Sequence, residues 1–242
     1  MKIKCRIIGF DLDGTLLNSE KHIAEHTREV LTRAVEQGIW ILPVTGRPLG
    51  GLPKEVVEFP GVQYAITANG ARIMETQTGG CLYERLVPVK TAEQIMEIFS
   101  DYDALREVYY GGKGYAEAEE FSRVGEYMRS PQMAAYVRAT RTPVPDILQL
   151  IREKGQDTDK VQGVFKIDEE RTEARKRLEA VEGIEVTGAL SNNIEVNAAG
   201  VDKGNAILWF ADHLGIPHEE VAGFGDGNND IQLLKKAGIG VA

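Results

Sequence analysis

The sequence is poor in cysteine, with only Cys5 and Cys81 among 242 residues and no Cys-x-x-Cys pair. That scarcity excludes a disulfide framework and a zinc-thiolate centre, and it fits a reducing compartment. Nowhere does the chain approach the ~20 consecutive apolar residues that span a bilayer. Its N-terminus, Met1-Lys2-Ile3-Lys4-Cys5-Arg6-Ile7-Ile8, is too short and too charged before Asp11 for a signal h-region. A cytoplasmic protein without a membrane partner is expected. Positive charge is also in short supply: 28 Lys and Arg stand against 37 Asp and Glu, a formal net charge of -9. This balance opposes attraction to nucleic acid or to an anionic membrane surface. If the ligand is anionic, the attracting charge must be local, from a metal ion and a few cationic side chains. Internal repeats and low-complexity segments are absent.

What is present suits an enzyme-sized globular protein, with 43% hydrophobic and 27% charged residues. Its length allows one α/β core and a smaller accessory domain. The isoleucine-rich run Ile3 to Phe10 reads as a strand buried on both faces, as in a parallel sheet. Apolar residues at Ile23, Val30, Leu31, Ala34 and Val35 then predict an amphipathic helix closed near Gly38. Ile39 to Val44 is a second strand, parallel to the first through a right-handed crossover, and Tyr64 to Thr67 is a third. After about Glu84 the texture shifts to α+β. Gly111-Gly112 marks a hairpin between Glu107 to Tyr110 and Lys113 to Ala118. Helices are expected near Ala92 to Ser100, Phe121 to Met128, Asp146 to Glu153 and Glu169 to Val181, with a strand at Val161 to Ile167. Parallel-sheet texture returns with a helix from Asp202 to Leu214, a strand at Val221 to Phe224, a short helix near Asn229 and a last strand from Ile239. The expected fold is α/β: a Rossmann-like parallel sheet flanked by helices and formed by residues 1–83 and 191–242, with an α+β domain inserted at 84–190.

Ligands of open parallel sheets bind beyond the carboxyl ends of the strands, so the residues there carry the candidate chemistry. Asp11-Leu12-Asp13-Gly14-Thr15 follows the first strand. In a segment still extended, residues i and i+2 point the same way, so both carboxylates face one ligand. Alternatives are an acidic turn capped by Asp13 or Thr15, or the Asp-x-Asp metal site of a glycosyltransferase. Thr45-Gly46-Arg47-Pro48 follows the second strand and offers a hydroxyl and successive N–H groups to phosphate oxygens; an ordinary turn is the competing reading. Asn69-Gly70, after the third strand, is a favoured turn and a candidate substrate contact. Asp202-Lys203-Gly204-Asn205 opens a helix, where an anion finds N–H donors and a favourable dipole; a cap followed by a solvated lysine competes. Gly225-Asp226-Gly227-Asn228-Asn229-Asp230 is dense in oxygen ligands for a hard cation such as magnesium. An EF-hand does not fit, since glycine is missing from the sixth position and the loop would end on Lys235-Lys236-Ala237 with no closing glutamate. His22, His26, His213 and His218 read as surface residues.

Jointly, in order and placement, the segments at Asp11, Thr45, Lys203 and Asp226 resemble the four motifs of the haloacid dehalogenase superfamily. The insert resembles the type C2B cap of the Cof-like subfamily. The resemblance runs from Ile8 to Gly240. It implies a Mg2+-dependent phosphatase acting on small phosphorylated metabolites, sugar phosphates first. Asp11 would be the nucleophile that becomes an aspartyl-phosphate, and Asp13 the acid and base for the leaving oxygen and the water. Thr45 and Lys203 would bind the phosphoryl oxygens, and Gly46, Arg47, Asn69 and Asn229 are carried as substrate-binding candidates. Mg2+ would be held by Asp11, the Asp13 carbonyl and Asp226, with Asp230 in support. The cap would close over the substrate, and a monomer or homodimer is expected. The alternatives are a phosphomutase of the same superfamily and a non-catalytic phosphate-binding protein. Proteins of this resemblance usually continue past the last strand with another helix and strand, whereas this chain ends at Ala242.

Overall fold

A computed structural model describes residues 4–242 of the chain. Ile3, which opens the expected first strand, lies outside the described residues. The fold divides into two compact units: the chain up to Glu84 together with Val201–Ala242, and Arg85–Gly200.

In the first unit β1 (Ile7–Phe10), α1 (Glu25–Glu36) and β2 (Trp40–Pro43) form the expected strand-helix-strand crossover, with Ile8 opposite Ile41 in parallel register. The short helix α2 (Lys54–Val57) leads to β3 (Tyr64–Thr67), which joins β2 through a parallel bridge between Val44 and Ile66. The chain then turns back into β4 (Arg72–Glu75) and β5 (Cys81–Glu84), an antiparallel extension that the sequence pattern did not announce.

Side chains alternate across the parallel strands, and each face has its own core. Ile7, Leu42, Val44 and Ile66 pack with Ile207, Phe210 and Leu233. Phe10, Ile41 and Ala65 pack with Ile23, Leu31, Val56 and Phe59. Burial of each large apolar side chain contributes roughly 1.5–3 kcal/mol, which is why the strands read as continuous hydrophobic runs. On α1 the buried residues are Leu31 and Ala34, while Val30 is 41% exposed and lies outside the apolar stripe assigned to it.

The second unit carries α3 (Val89–Ser100), β6 (Ala104–Tyr110), β7 (Lys113–Glu117), α4 (Ala118–Ser122), α5 (Val124–Tyr127), α6 (Pro131–Thr140), β8 (Arg141–Val144), α7 (Ile147–Lys154), β9 (Lys160–Phe165), α8 (Asp168–Leu178), β10 (Ile184–Thr187) and β11 (Asn193–Ala198). Its six strands lie in the order β10-β11-β9-β6-β7-β8, antiparallel except for β7 and β8. Gly111 and Gly112 both adopt positive φ and make the β6–β7 hairpin turn. The single helix expected over Phe121 to Met128 is two short helices, α4 and α5, broken at Arg123. Helix α6 was not anticipated, although its start is written in the sequence: the Ser130 hydroxyl caps the Met133 N–H and Pro131 takes the first turn.

Residues 191–200, expected with the core, belong to this second unit, and Glu84 belongs to the first. The physical reason is β11, which pairs antiparallel with β9 and β10. One face of its sheet is polar and buried: Lys160 donates to Glu195 at 2.5 Å, and Glu107 accepts from Tyr109 at 2.5 Å and Arg141 at 3.2 Å. Every charge in that set has a partner of opposite sign, the condition under which buried ions are tolerated.

The chain re-enters the first unit with α9 (Lys203–His213), β12 (Val221–Phe224), α10 (Ile231–Lys236) and β13 (Ile239–Val241). The parallel sheet runs β13-β12-β1-β2. Among the described residues no helix is long and apolar enough to cross a membrane.

Candidate active site

Strand register assembles the site. Phe10 lies opposite Phe224, and the Asp11 N–H continues the ladder by donating to the Phe224 carbonyl at 2.9 Å. The first carboxylate is thereby placed beside the loop after β12. Asp11 is buried, 8% exposed, and its Oδ1 accepts from the Lys203 ammonium at 2.6 Å. The same ammonium donates to Asp230 Oδ1 at 2.6 Å. Lys203 has no exposed surface, so the solvated lysine is ruled out. Asp230 is also fully buried, and its second oxygen accepts from the Asp226 N–H at 3.2 Å and the Gly227 N–H at 2.8 Å. Burial pushes the Asp11 carboxyl above its ordinary range; Lys203 opposes the shift and the charge of Asp230 adds to it.

Asp226, which is exposed, completes this cluster. Carboxylate oxygens of Asp11, Asp226 and Asp230 lie within 4.8 Å of one another. Three carboxylates and one ammonium leave a formal charge of -2 on these four residues, and oxygen donors of this kind suit a hard divalent cation. The residues therefore fit a magnesium ion. Asp226 is held in place by Thr15, whose hydroxyl donates to its Oδ1 at 2.7 Å. Gly14, at φ 95°, makes the intervening turn, and a Cβ there would fall on the Asp226 carboxylate.

Asp13 neither caps a turn nor stands free. The Arg47 guanidinium grips it with two bonds, Nε to Oδ2 at 2.9 Å and Nη2 to Oδ1 at 2.7 Å. Lys21 donates to the same Oδ1 at 2.8 Å. Burial is the largest single influence on Asp13 and acts upward, but the two cations together outweigh it and hold the carboxyl below its ordinary value. Arg47 also donates through Nη1 to the Gly51 carbonyl at 3.0 Å.

Thr45 is buried at the end of β2, where its N–H donates to the Ile66 carbonyl at 2.9 Å. Its hydroxyl oxygen accepts the Arg47 N–H at 3.2 Å, so the hydroxyl proton stays available to another acceptor. Gly46 is half-buried beside it. Asn69 is 2% exposed in a left-handed turn, φ 61°; its N–H donates to the Thr45 carbonyl at 3.0 Å, and its side-chain oxygen accepts from Asn229 at 3.3 Å. Its side chain thus faces Asn229 within the protein. The N-cap Asp202, which starts the helix carrying Lys203, accepts from the Asn205 N–H at 2.7 Å and from Lys236 at 2.7 Å.

Sequence reasoning missed Lys21 and Lys236. Neither falls at a strand end, and only the tertiary fold brings them to Asp13 and Asp202. The histidines lie apart from the cluster: His22 pairs with Glu55, His26 with Glu29 and His218 with Asp212, while His213 stacks on Trp209.

A parallel sheet with this acidic cluster and its buried lysine at the strand ends places the chain among α/β enzymes. The sequence profile of the haloacid dehalogenase-like hydrolases matches residues 8–242. The 5-amino-6-(5-phospho-D-ribitylamino)uracil phosphatase YcsE of Bacillus subtilis is 28% identical over 242 residues, 99% of this chain and 84% of the relative. The phosphatase YwpJ of Bacillus subtilis is 27% identical over 263 residues, 98% of this chain and 88% of the relative. Among solved structures, a haloacid dehalogenase-like hydrolase from B. subtilis superposes with a TM-score of 0.83 at 26% identity, covering 96% of this chain and 87% of that one. The chain belongs to the haloacid dehalogenase-like hydrolases, and both named relatives are phosphatases.

Proposed function

We propose that the protein is a Mg2+-dependent phosphatase of small phosphorylated metabolites, working through an aspartyl-phosphate on Asp11. The observation that carries this reading is the Lys203 ammonium held at 2.6 Å from both Asp11 and Asp230, with Asp226 completing the cluster. In the first half-reaction an Asp11 carboxylate oxygen attacks phosphorus and the phosphorus–oxygen ester bond breaks. The bonding pair leaves with the ester oxygen, which takes a proton from Asp13. In the second, water attacks phosphorus and gives a proton to Asp13 while the phosphorus–oxygen bond to Asp11 breaks; Asp11 leaves with the bonding pair as a carboxylate and inorganic phosphate is released, so acid and base exchange roles. Lys203 and the Thr45 hydroxyl hold the phosphoryl oxygens and stabilise charge that develops there.

Asp11, the Asp13 carbonyl and Asp226 would hold the magnesium ion, with Asp230 steadying them. The ion supplies charge neutralisation between a phosphate dianion and these carboxylates. Asp230 fits a supporting place because both of its oxygens already accept bonds, from Lys203 and from backbone amides. The ester in the name of the YcsE relative lies on a ribityl chain, which supports sugar and polyol phosphates as the substrate class. A cytoplasmic site of action goes with this reading, and the net charge of -9 disfavours nucleic acid.

The test is release of p-nitrophenol from p-nitrophenyl phosphate by the purified protein, with and without magnesium. Release is expected to need the metal and to vanish in Asp11→Asn, in which an amide cannot serve as nucleophile. Undiminished turnover by that variant would sink the mechanism.

A further inference from the structure

The turn after β3, Ala68-Asn69-Gly70, is a sequence candidate to which the proposed chemistry gives no task. All three residues have positive φ: Ala68 at 49°, Asn69 at 61° and Gly70 at 105°. Glycine and asparagine tolerate this region, whereas alanine enters it only where its surroundings impose it. Here the surroundings are the strand-end segments of the site. The Ala68 N–H donates to the Arg47 carbonyl at 3.0 Å and the Asn69 N–H to the Thr45 carbonyl at 3.0 Å, so the turn clamps the backbone on both sides of Gly46. Gly70 lies against the first turn of α9, where a Cβ would fall 2.6 Å from the Asp202 carbonyl oxygen and 3.0 Å from Ala206 Cβ. The Asn69 side-chain oxygen accepts from Asn229 Nδ2 at 3.3 Å. One turn thus touches the segments that carry Thr45, Lys203 and Asn229.

In the sheet, β3 and β12 lie on opposite sides of β1. The bond between Asn69 and Asn229 therefore joins the loops that flank the strand leading to Asp11. Asn229 precedes Asp230, which shares the Lys203 ammonium with Asp11, so this amide stands at the same strand ends as the nucleophile. Asn69 is 2% exposed and Asn229 half-buried. An amide nitrogen carries two N–H groups. Asn69 accepts one of those of Asn229, which fixes the amide plane and with it the direction of the other. We infer that Asn69 is a positioning residue for phosphate binding: it holds the Asn229 amide so that the second N–H donates to a phosphoryl oxygen. This rests on the reading of Asn229 as a ligand of the phosphoryl group. The left-handed turn lets one residue reach Thr45 with its N–H and Asn229 with its side chain. Without the Asn69 oxygen the Asn229 side chain rotates among its rotamers, and phosphate must order it on binding.

Inorganic phosphate, titrated calorimetrically into the protein in Mg2+ buffer, is the probe. Asn69→Gly removes the side chain and keeps the turn, because glycine takes φ 61° without strain. This variant is expected to bind phosphate about fivefold more weakly, the cost of ordering one polar side chain on binding, at unchanged stoichiometry. KM for p-nitrophenyl phosphate is expected to rise with Kd, while kcat changes less. A merely structural defect does the reverse: fewer molecules bind and kcat falls, while Kd and KM hold. Asn229→Ala is expected to weaken binding about tenfold, the loss of one hydrogen bond to a charged group. In that background Asn69→Gly is expected to change Kd by less than about twofold, since the amide it positions is gone. Equal weakening by Asn69→Gly in both backgrounds, or none in either, would overturn the role of Asn69. An unchanged Kd in Asn229→Ala would overturn it as well, by removing that amide from the phosphate site. If the coupling holds but no p-nitrophenol is released, the inference stands and the catalytic reading fails; a wild-type protein without affinity for phosphate would overturn both.

Discussion

At the residue scale, the energetics of the site turn on one ammonium. Lys203 has no exposed surface and its two partners are buried carboxylates, Asp11 and Asp230. Removing one member of such a set leaves uncompensated charge in a poorly solvated place, which costs about 3–5 kcal/mol. Lys203→Met in metal-free buffer is therefore expected to lower the unfolding free energy by that amount, measured by urea titration, and to bring hydrolysis to background. A loss under about 1 kcal/mol, the level of an exposed pair, would show that the ion triad contributes little. The identity of Lys203 as a candidate was legible in the sequence, because lysine beside an N-cap Asp at a helix start is an anion-binding pattern. Its burial was not legible, since nothing local distinguishes a solvated lysine from one enclosed by two strand-end loops.

At the element scale, α9 and α10 approach closely where the site needs them to. A Cβ added at Gly204 would fall on the Gln232 carbonyl and lie 2.9 Å from Lys236 Cδ. In an open helix Gly→Ala stabilises by about 1 kcal/mol; here the overlap forces apart the helix that carries Lys203 and the one that follows Asp230. Gly204→Ala is expected to destabilise by about 1–3 kcal/mol and to cut activity, because Lys203 moves with its helix. Gly125→Ala in α5 is the contrast: its nearest outside atom is 4.0 Å away, and a gain of up to about 1 kcal/mol is expected. Thermal melts of the two variants check both signs. Helix and strand placement was legible where periodicity and caps were strong, as in α1, α7 and α9. It failed over 118–144, where α4 and α5, of five and four residues, show no full period and the ten-residue α6 buries only Ala134 and Val137, and at β11, whose Asn193, Glu195 and Asn197 face a buried polar set instead of an apolar core.

At the scale of the whole molecule, one unit is continuous and the other is not. All six strands of the second sheet, the helices packed on it and its paired charges come from Arg85–Gly200. A polypeptide of residues 85–200 is expected to fold alone, with a cooperative urea transition and a near-ultraviolet dichroism signal. A broad transition without that signal would mean that its packing depends on the remainder of the chain. The first unit joins two distant stretches of sequence, so β12 reaches β1 only after the intervening residues have been bypassed, a long-range pairing with an entropic cost.

The sequence by itself determined the α/β class, the succession of strands along the first unit and the points at which polar residues leave the strand ends. These follow from hydrophobic runs, turn residues and caps, whose physics is local. Only the tertiary structure decided which oxygen meets which ammonium: that Lys203 lies between Asp11 and Asp230, that Arg47 and Lys21 converge on Asp13, and that Thr15 steadies Asp226. Such pairings join residues up to 211 positions apart. They depend on sheet register and helix packing, and no local pattern of residues encodes a distance across the fold.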